Sequence, residues 1–306
     1  MTLVEPGAPT AATGVPEVAA APEDIGEARP LRADVWRRFK RNRLAMVGLG
    51  FLIVLGLIAV FAPLIAPYGM TERASGQFRQ PPSADHWFGT DAIGRDLFSR
   101  IVYGARVSLR IGFTATAISV TIGLLFGALA GFFGGATDTL ITRLIDVFLA
   151  IPYIVLAVAI ASVFGRSENA IIIVLGVTGW LAIARIVRAS FLSLRRLEYV
   201  EAATALGFSR TRIMFRHILP NALQPIIVIG TITVGYVILA EAALSFLGVG
   251  PQEPTPAWGL MVAAGKGSLT NAPHLLFFPA GAIVLTVLAF VFVGDGLRDA
   301  LDPKLK

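Results

Sequence analysis

Residues 29–66 read RPLRADVWRRFKRNRLAMVGLGFLIVLGLIAVFAPLIA, and this stretch decides the fold class. Its second part, Leu44 to Ala66, contains no charged residue, and about 20 apolar residues cross about 30 Å of hydrocarbon as a helix. Its first part carries seven basic residues against one acid, Asp34. Because the positive-inside rule places such residues in the cytoplasm, the stretch predicts a retained membrane anchor with a cytoplasmic N-terminus.

The composition agrees with a membrane protein. Of the 306 residues only 15% are charged, against about 25% in a soluble domain, so a soluble fold would have too few charges to cover its surface. The net charge of +6 comes from basic residues crowded between apolar runs, which favours a membrane face over a nucleic-acid partner. There is no cysteine, and His86, His217 and His274 are too scattered for a zinc site, so we expect no bound metal.

Six apolar runs are long enough, or nearly so, to span a membrane, and they predict an all-α membrane protein with six transmembrane helices. The predicted spans are 44–66, 111–133, 144–164, 170–187, 222–247 and 275–294. The predicted organisation is a disordered cytoplasmic tail (1–28), a basic segment with the first anchor (29–66), an extracellular loop (67–110), a core of five transmembrane helices (111–297) and a cytoplasmic C-terminal tail (298–306). An even number of spans returns both termini to the cytoplasm.

One segment disagrees with this topology. The loop 67–110 should lie outside, yet it holds six arginines that four acidic residues balance only in part. The arginine-rich segment between spans four and five and the basic C-terminus do agree, and orientation depends most strongly on the first span. We therefore keep the prediction of six spans with both ends inside.

Glycines and prolines within the spans predict local features of packing. Gly123, Gly127, Gly131 and Gly135 recur every four residues and so share a helix face that lets a neighbouring helix approach closely. The neighbour is either a helix of the same subunit, which we expect first, or a second subunit. Pro152 and Pro225 remove helix hydrogen bonds and predict kinks in spans three and five.

Catalytic signatures are missing from the sequence. It contains neither H-E-x-x-H nor G-x-S-x-G. The stretch Gly259 to Ser268, GLMVAAGKGS, resembles a phosphate-binding loop, but five residues separate its glycines and Gly267 follows Lys266 where Ser or Thr is required. We therefore expect that this chain is not an enzyme and that, alone, it neither binds nor hydrolyses ATP.

The segment EYVEAATALGFSRTRIMFRHILPNALQ, residues 198–224, predicts a helix, a break and a second helix. Gly207 can adopt the left-handed conformation that ends a helix, Ser209 can cap the next one, and Pro220 marks the boundary before span five. Apolar residues at helical spacings on the water side indicate a protein partner rather than a solvated loop.

This segment resembles the Glu-Ala-Ala loop of ABC importer permeases, which in that family docks onto the ATPase subunit. The matching residues are Glu201, Ala202, Ala203, Gly207, Leu219 and Pro220. His217 stands where the general pattern prefers Ile, which fits the peptide-transport branch. The stretches 83–106 and 240–248 resemble the C-type permease of dipeptide and oligopeptide importers, and the resemblance covers nearly everything from residue 37 to residue 306.

The resemblance implies a type I importer fold and identifies residues 195–220 as a coupling loop. It also implies a heteromeric complex with a second homologous permease, two ATP-binding subunits that hold ATP and Mg, and an extracellular solute-binding protein. The chain itself would bind no cofactor and would move di- or oligopeptides across the bacterial plasma membrane by alternating access. Nickel, glutathione or another small solute is the alternative within the family. An ion-coupled carrier or channel and a membrane enzyme are rivals from other classes.

Two carboxylates inside the spans are candidates for the translocation path, because such groups usually face a bundle interior or water. Glu241 lies near the outer end of span five and either lines an outer gate or has a structural role. Asp146 lies in the first turns of span three and is expected in the inner half of the path; the alternative is that Asp146 and Arg143 snorkel at the cytoplasmic boundary, where they could pair with each other.

The topology is directly testable with reporter fusions. Fusions at Ser75 and Ser268 should report an external position, and fusions at Ser209 and Lys306 a cytoplasmic one, because six spans alternate from a cytoplasmic N-terminus. A cytoplasmic signal at Ser75, in the arginine-rich loop, would contradict the topology.

Overall fold

The structure is a computed structural model that describes Thr2 and residues 31–302 apart from residue 75. The predicted tail 1–28, except Thr2, and residues 303–306 therefore lie outside the described residues. Regular structure within the described part is helical, apart from one bridge between Thr90 and Asp96. The α-helices are α1 Leu31–Arg41, α2 Arg43–Val60, α3 Ala62–Ile65, α4 Leu97–Phe133, α5 Gly135–Leu149, α6 Tyr153–Phe164, α7 Glu168–Leu194, α8 Glu198–Ala205, α9 Arg210–Arg212, α10 Leu219–Phe246, α11 Trp258–Gly265 and α12 His274–Leu301.

The predicted third span is not one helix. Within the described residues, five helices are long and apolar enough to cross a membrane, and α5 and α6 would make a sixth span only as a pair bent by 87°. Pro152 stands at the N-cap of α6 and has no backbone N–H, and a proline also disfavours helical geometry at the residue before it. The predicted kink at Pro152 is confirmed, and a continuous helix over 144–164 is wrong.

Helix α4 is longer than the predicted second span. It begins at Leu97, where the carboxylate of Asp96 accepts a hydrogen bond from the Ser99 amide at 2.7 Å, so the end of the predicted loop 67–110 is helical. Four of the six arginines that made this loop look cytoplasmic have carboxylate or carbonyl partners, namely Arg95, Arg100, Arg106 and Arg110. Arg106 donates to the carbonyl oxygens of Ala59 and Val60 at the end of α2, at 3.0 and 2.9 Å. Tertiary contacts of this kind are not visible to a rule that counts charges.

The C-terminal end of the chain and the connection between spans five and six also differ from the boundaries predicted from the sequence. Helix α12 continues to Leu301, so residues 298–301 of the predicted C-terminal tail are helical. Helix α11 lies in the connection between spans five and six.

The elements α1, the end of α12 and the coupling loop lie at one end of the bundle. Arg195, at the start of the coupling loop, donates to the Phe132 carbonyl at the end of α4. Arg38 of α1 donates to the Asp302 carbonyl after α12, and both helices line a groove with Gln224 of α10. We call this end of the bundle the loop end, and the other the opposite end.

Among the described helices, α4 and α7 share the most extensive contact, and three glycines permit it. A Cβ atom on Gly123 would lie 2.7 Å from Ile183, one on Gly127 2.5 Å from the Ala184 carbonyl oxygen, and one on Gly131 2.6 Å from the Phe191 side chain. The expected packing within the subunit is therefore confirmed for these three. Gly135 does not belong to the stripe, because α4 ends at Phe133 with Gly134 as its C-cap, and Gly135 has a φ of +54° and open space around it.

Gly127→Ala should destabilise the bundle, because its methyl group would need the α7 backbone to move away. Overpacking of this kind costs about 1 to 3 kcal/mol. Gly50→Ala on α2 is the matched control, since no atom lies within 4 Å of the added Cβ and the helix propensity improves. Thermal unfolding in detergent should show a lower midpoint for Gly127→Ala and an unchanged or higher one for Gly50→Ala. Equal midpoints would mean that α4 and α7 are not in close contact.

Candidate functional site

The coupling loop folds as the sequence predicts up to its second helix. Helix α8 ends where Gly207 adopts a φ of +77°, a conformation that is readily accessible only without a Cβ, and its amide bonds to the Thr204 carbonyl oxygen at 3.0 Å. The Ser209 hydroxyl then accepts a hydrogen bond from the Arg212 amide at 3.4 Å and caps α9. The predicted helix, break and helix are confirmed.

Pro220 does not form the predicted boundary. Helix α9 continues through a π-helical stretch, Ile213–Ile218, into α10, so that residues 210–246 form one helical rod. The Leu219 amide bonds to the Met214 carbonyl five residues earlier. This widened turn accommodates a proline, because the pyrrolidine ring collides with the carbonyl four residues back in an ordinary α-helix. The second arm of the coupling loop is therefore the base of the fifth span.

A polar contact fastens α8 to this rod. The hydroxyl of Tyr199 donates to the carbonyl oxygen of His217 at 3.3 Å, and the side-chain amide of Asn221 donates to the same carbonyl at 2.8 Å. The Asn221 amide also lies 3.2 Å from the Tyr199 hydroxyl oxygen, which closes a triangle. The two arms are thus joined through groups that the sequence analysis did not single out.

An aromatic stack supports the same joint. The imidazole of His217 stacks on the ring of Phe208 at 5.8 Å between centroids, and the guanidinium of Arg212 lies 4.2 Å over the Phe208 ring. Cation–π contacts of this type are favourable by about 0.5 to 1 kcal/mol at exposed sites. His217 therefore packs inside the coupling loop.

The residues of the Glu-Ala-Ala motif divide into a packed side and an open side. Ala203 is 4% exposed and packs with Val200 against the helices of the core. Glu201, Ala202, Gly207 and Pro220 are exposed, and Leu219 is half-buried. Leu206, next to Gly207, is 74% exposed although it is apolar. This open side is the surface of the loop that a partner can reach.

Asp146 does not pair with Arg143. Its carboxylate binds the guanidinium of Arg185 on α7 at 2.5 Å. Asp138 on the same helix forms a bidentate pair with Arg188, one turn further along α7. The proposed place of Asp146 in the translocation path stays a prediction.

Glu241 lies between α10 and α11. It is 1% exposed, and its carboxylate accepts a hydrogen bond from the Ser245 hydroxyl at 2.7 Å. A Cβ on Gly259 would lie 3.0 Å from both carboxylate oxygens, so only a glycine permits this approach. Glu241 thus sits in the contact between span five and α11, and its role in an outer gate stays a prediction.

An ion-pair cluster at the opposite end holds the long connections together. Glu253 accepts hydrogen bonds from Arg95 and Arg100, at 2.5 and 3.0 Å, and Arg95 also binds Asp91 at 2.6 Å. Burial acts to lower the pKa of Arg95, but its hydrogen bonds to Glu253 and Asp91 outweigh this and leave that pKa raised. The start of α4 is thereby tied to the segment before α11.

A cavity of about 470 Å³ opens at the bend between α5 and α6. Its walls come from α5, α6, α7 and α10, and they are apolar except for a few hydroxyl groups. The hydroxyl-bearing residues are Tyr153, Thr178, Thr233 and Tyr236. No charged side chain lines it within the described part of the chain, so the cavity suits uncharged polar and apolar groups.

The described helices form a bundle with members long and apolar enough to span a membrane, and one helical rod runs from the exposed loop to the opposite end. A family model for the binding-protein-dependent transport system inner membrane component matches residues 123–306, and one for the N-terminal TM domain of oligopeptide transport permease C matches residues 30–82. The chain belongs to this family of inner-membrane permeases of ABC importers, whose subunits are non-catalytic and work with ATPase and binding-protein partners.

Similar proteins come from several bacteria. The dipeptide transport system permease protein DppC of Alkalihalophilus pseudofirmus is 45% identical over 93% of this chain and 94% of its own. The oligopeptide transport system permease protein OppC of Bacillus subtilis is 44% identical over 89% of this chain and 90% of its own. The glutathione transport system permease protein GsiD of Escherichia coli O157:H7 is 45% identical over the same shares.

A solved structure supports the fold. An inward-facing form of the MetNI methionine ABC transporter matches with a TM-score of 0.56 and 23% identity, covering 66% of this chain and 97% of the matched chain. The expected all-α ABC importer permease fold is confirmed, and the predicted resemblance to the peptide-importer permeases is confirmed by the relatives.

Tyr199→Phe should loosen the coupling loop without unfolding the bundle. The change removes a hydroxyl that takes part in two hydrogen bonds, and a net contribution of about 1 kcal/mol corresponds to about five-fold faster opening. Hydrogen–deuterium exchange of residues 198–205 should therefore speed up by that factor. Tyr103→Phe on α4, remote from the loop, is the control and should leave this exchange unchanged. Unchanged exchange in Tyr199→Phe would show that the contact does not hold α8.

Proposed function

We propose that the chain is a permease subunit that imports di- or oligopeptides across the bacterial plasma membrane by alternating access. The observation that carries this proposal is the coupling loop, whose exposed edge joins directly to a spanning rod. In the proposed orientation both termini and the coupling loop are cytoplasmic, and α11 and residues 67–96 are external. The basic stretch before α2 supports this orientation.

The proposed importer complex contains four further kinds of component besides this chain: a sister permease, two ATP-binding subunits, a binding protein and the solute. A second homologous permease would form the other half of the path, two ATP-binding subunits would hold ATP and Mg, and an external binding protein would deliver the solute. The exposed apolar Leu206 and the exposed acidic Glu201 suit a partner surface with both apolar and basic parts. The exposed apolar face of α5 and α6 suits a membrane partner such as the sister permease.

The rod gives a physical route for coupling. Residues 210–246 form one helix, which at 1.5 Å per residue is about 55 Å long. Because Tyr199 and Asn221 fasten α8 to its base, movement of a docked ATPase would tilt the rod rather than bend the loop. At the far end Glu241 packs against Gly259 of α11, so the same tilt would move the external segment that α11 belongs to.

The chemistry of the cavity at the α5 and α6 bend favours peptides over a metal ion. Nickel would call for histidine or carboxylate ligands, and the walls of this cavity offer hydroxyl groups and apolar surface. Hydroxyl groups can form hydrogen bonds with the backbone of a peptide solute whatever side chains that peptide carries. This suits a path in which the binding protein selects the solute. Asp146 and Glu241 are the charged positions that we propose along this path. Glutathione is the second candidate, because a glutathione permease is as similar to this chain as the peptide permeases are.

Gly207→Val and Glu201→Lys should each weaken ATPase binding and abolish transport. A β-branched residue at a φ of +77° costs on the order of 1 to 2 kcal/mol and misdirects the second arm, and the lysine reverses a charge on the open side. The measurements are co-purification of the ATPases and ATP-dependent uptake of a labelled dipeptide into vesicles, with glutathione and nickel as competitors.

The control for these variants is Gly267→Val, which also adds bulk at an unobstructed glycine but lies at the opposite end with an ordinary φ. It should retain the ATPases. If both loop variants kept the ATPases bound and transported at the parental rate, the docking role would be refuted. ATP-dependent uptake of labelled glutathione without uptake of the labelled dipeptide would reassign the solute.

A further inference from the structure

A groove of about 680 Å³ lies at the loop end between α1, α2, α10 and α12, away from the coupling loop and the cavity at the bend. Most of its wall is apolar. The apolar lining residues are Val35, Trp36, Phe39, Leu49, Val293, Leu297, Ala300 and Leu301. Three polar residues complete it, namely Asp34, Arg38 and Gln224. The groove thus combines an apolar wall with a polar edge on α1.

The depth of the groove limits what can fill it. Leu49 lies six residues into α2 and Val293 eight residues before the end of α12, so the floor is about 9 to 12 Å from the helix ends at 1.5 Å per residue. The hydrocarbon core is about 30 Å thick, so such a depth lies inside one leaflet. A soluble protein cannot reach it, and the occupant must be apolar at the floor.

Basic residues of α1 flank the mouth of the groove, and Arg38 is the one that lines it, while the end of α12 adds the acids Asp299 and Asp302 nearby. Helix α1 carries Arg37, Arg38, Lys40 and Arg41 against the single acid Asp34, which already pairs with Arg37 at 3.0 Å. Basic amphipathic helices at a membrane surface attract anionic headgroups. An apolar helix of a sister subunit in the groove would cover this charge without compensating it. An occupant with an apolar part and an anionic end would match both the apolar wall and the basic residues of α1.

Helix α1 is held in place by the bundle, so the groove is a built feature. The Arg38 guanidinium donates to the Asp302 carbonyl oxygen at 3.0 Å, and Phe39 is 3% exposed. Trp36 stacks on Phe39 at 5.9 Å but remains 48% exposed, with the Lys40 ammonium 5.0 Å over its ring. Trp36 is therefore a fluorescent side chain on the wall of the groove.

We propose that this groove binds one anionic phospholipid, with its phosphate beside Arg38 and an acyl chain along Leu49, Val293 and Leu297. The binding itself does not depend on the transported solute or on ATPase docking. In the proposed orientation the lipid comes from the cytoplasmic leaflet. Such a lipid would pin α1 and α12 together at the membrane surface.

The test uses the purified full chain in detergent, titrated with brominated phosphatidylglycerol or brominated phosphatidylcholine. Bromine quenches tryptophan at short range, and Trp36→Phe reports the signal of the other three tryptophans, so the difference isolates Trp36. Phosphatidylglycerol should quench Trp36 at lower concentration than phosphatidylcholine. Arg38→Gln should raise the phosphatidylglycerol concentration for half-quenching about five-fold, the effect of one basic side chain at a lipid surface.

Two further variants separate charge from fold. Arg38→Lys keeps the charge and a donor and should behave as the parent does, while Arg73→Gln removes one exposed charge from the other end and should change nothing. Equal quenching by the two lipids, or an Arg38→Gln titration identical to the parent's, would overturn the proposal. So would loss of Trp36 quenching in the complex with the sister permease, since that subunit would then fill the groove.

Discussion

Helices in hydrocarbon gain little from hiding apolar surface, so they must approach closely enough for dense packing, and the contact of α4 with α7 provides this. Gly123, Gly127 and Gly131 let the α7 backbone approach where any side chain would collide. Helix α5 is then tied to α7 by two ion pairs, and the coupling loop hangs from the end of α7. Loss of the glycine contact would displace each of these elements in turn.

Much of the fold could be predicted because its determinants are local. A run of apolar residues is a span whatever its neighbours are, and Gly207 followed by Ser209 ends one helix and begins another by backbone geometry alone. The 87° bend needed more than Pro152, since the proline at position 225 lies inside a helix that continues through it. Whether a proline bends or breaks a span depends on contacts elsewhere in the bundle.

The parts that sequence reasoning missed are pairings between distant residues. Asp146 meets Arg185, not its close neighbour Arg143, and Glu253 meets Arg95 and Arg100 from about half a chain length away. Nothing in the sequence was a reason to single out Tyr199 and Asn221, because their role depends on hydrogen bonds that both donate to the carbonyl oxygen of His217. The motif residues of the coupling loop were visible, whereas the contact that joins the loop to the rod was not.

The bend between α5 and α6 has a consequence for the insulation of the membrane. At a helix break, backbone N–H and C=O groups lose their partners within the helix, and lipid chains cannot supply new ones. The Tyr153, Ile154 and Val155 amides begin α6 behind a proline and lack the preceding helical turn. These groups must therefore face water or other protein groups, and not lipid, at this point of the chain. A cell that runs on an ion gradient must keep that point sealed whenever no solute is crossing.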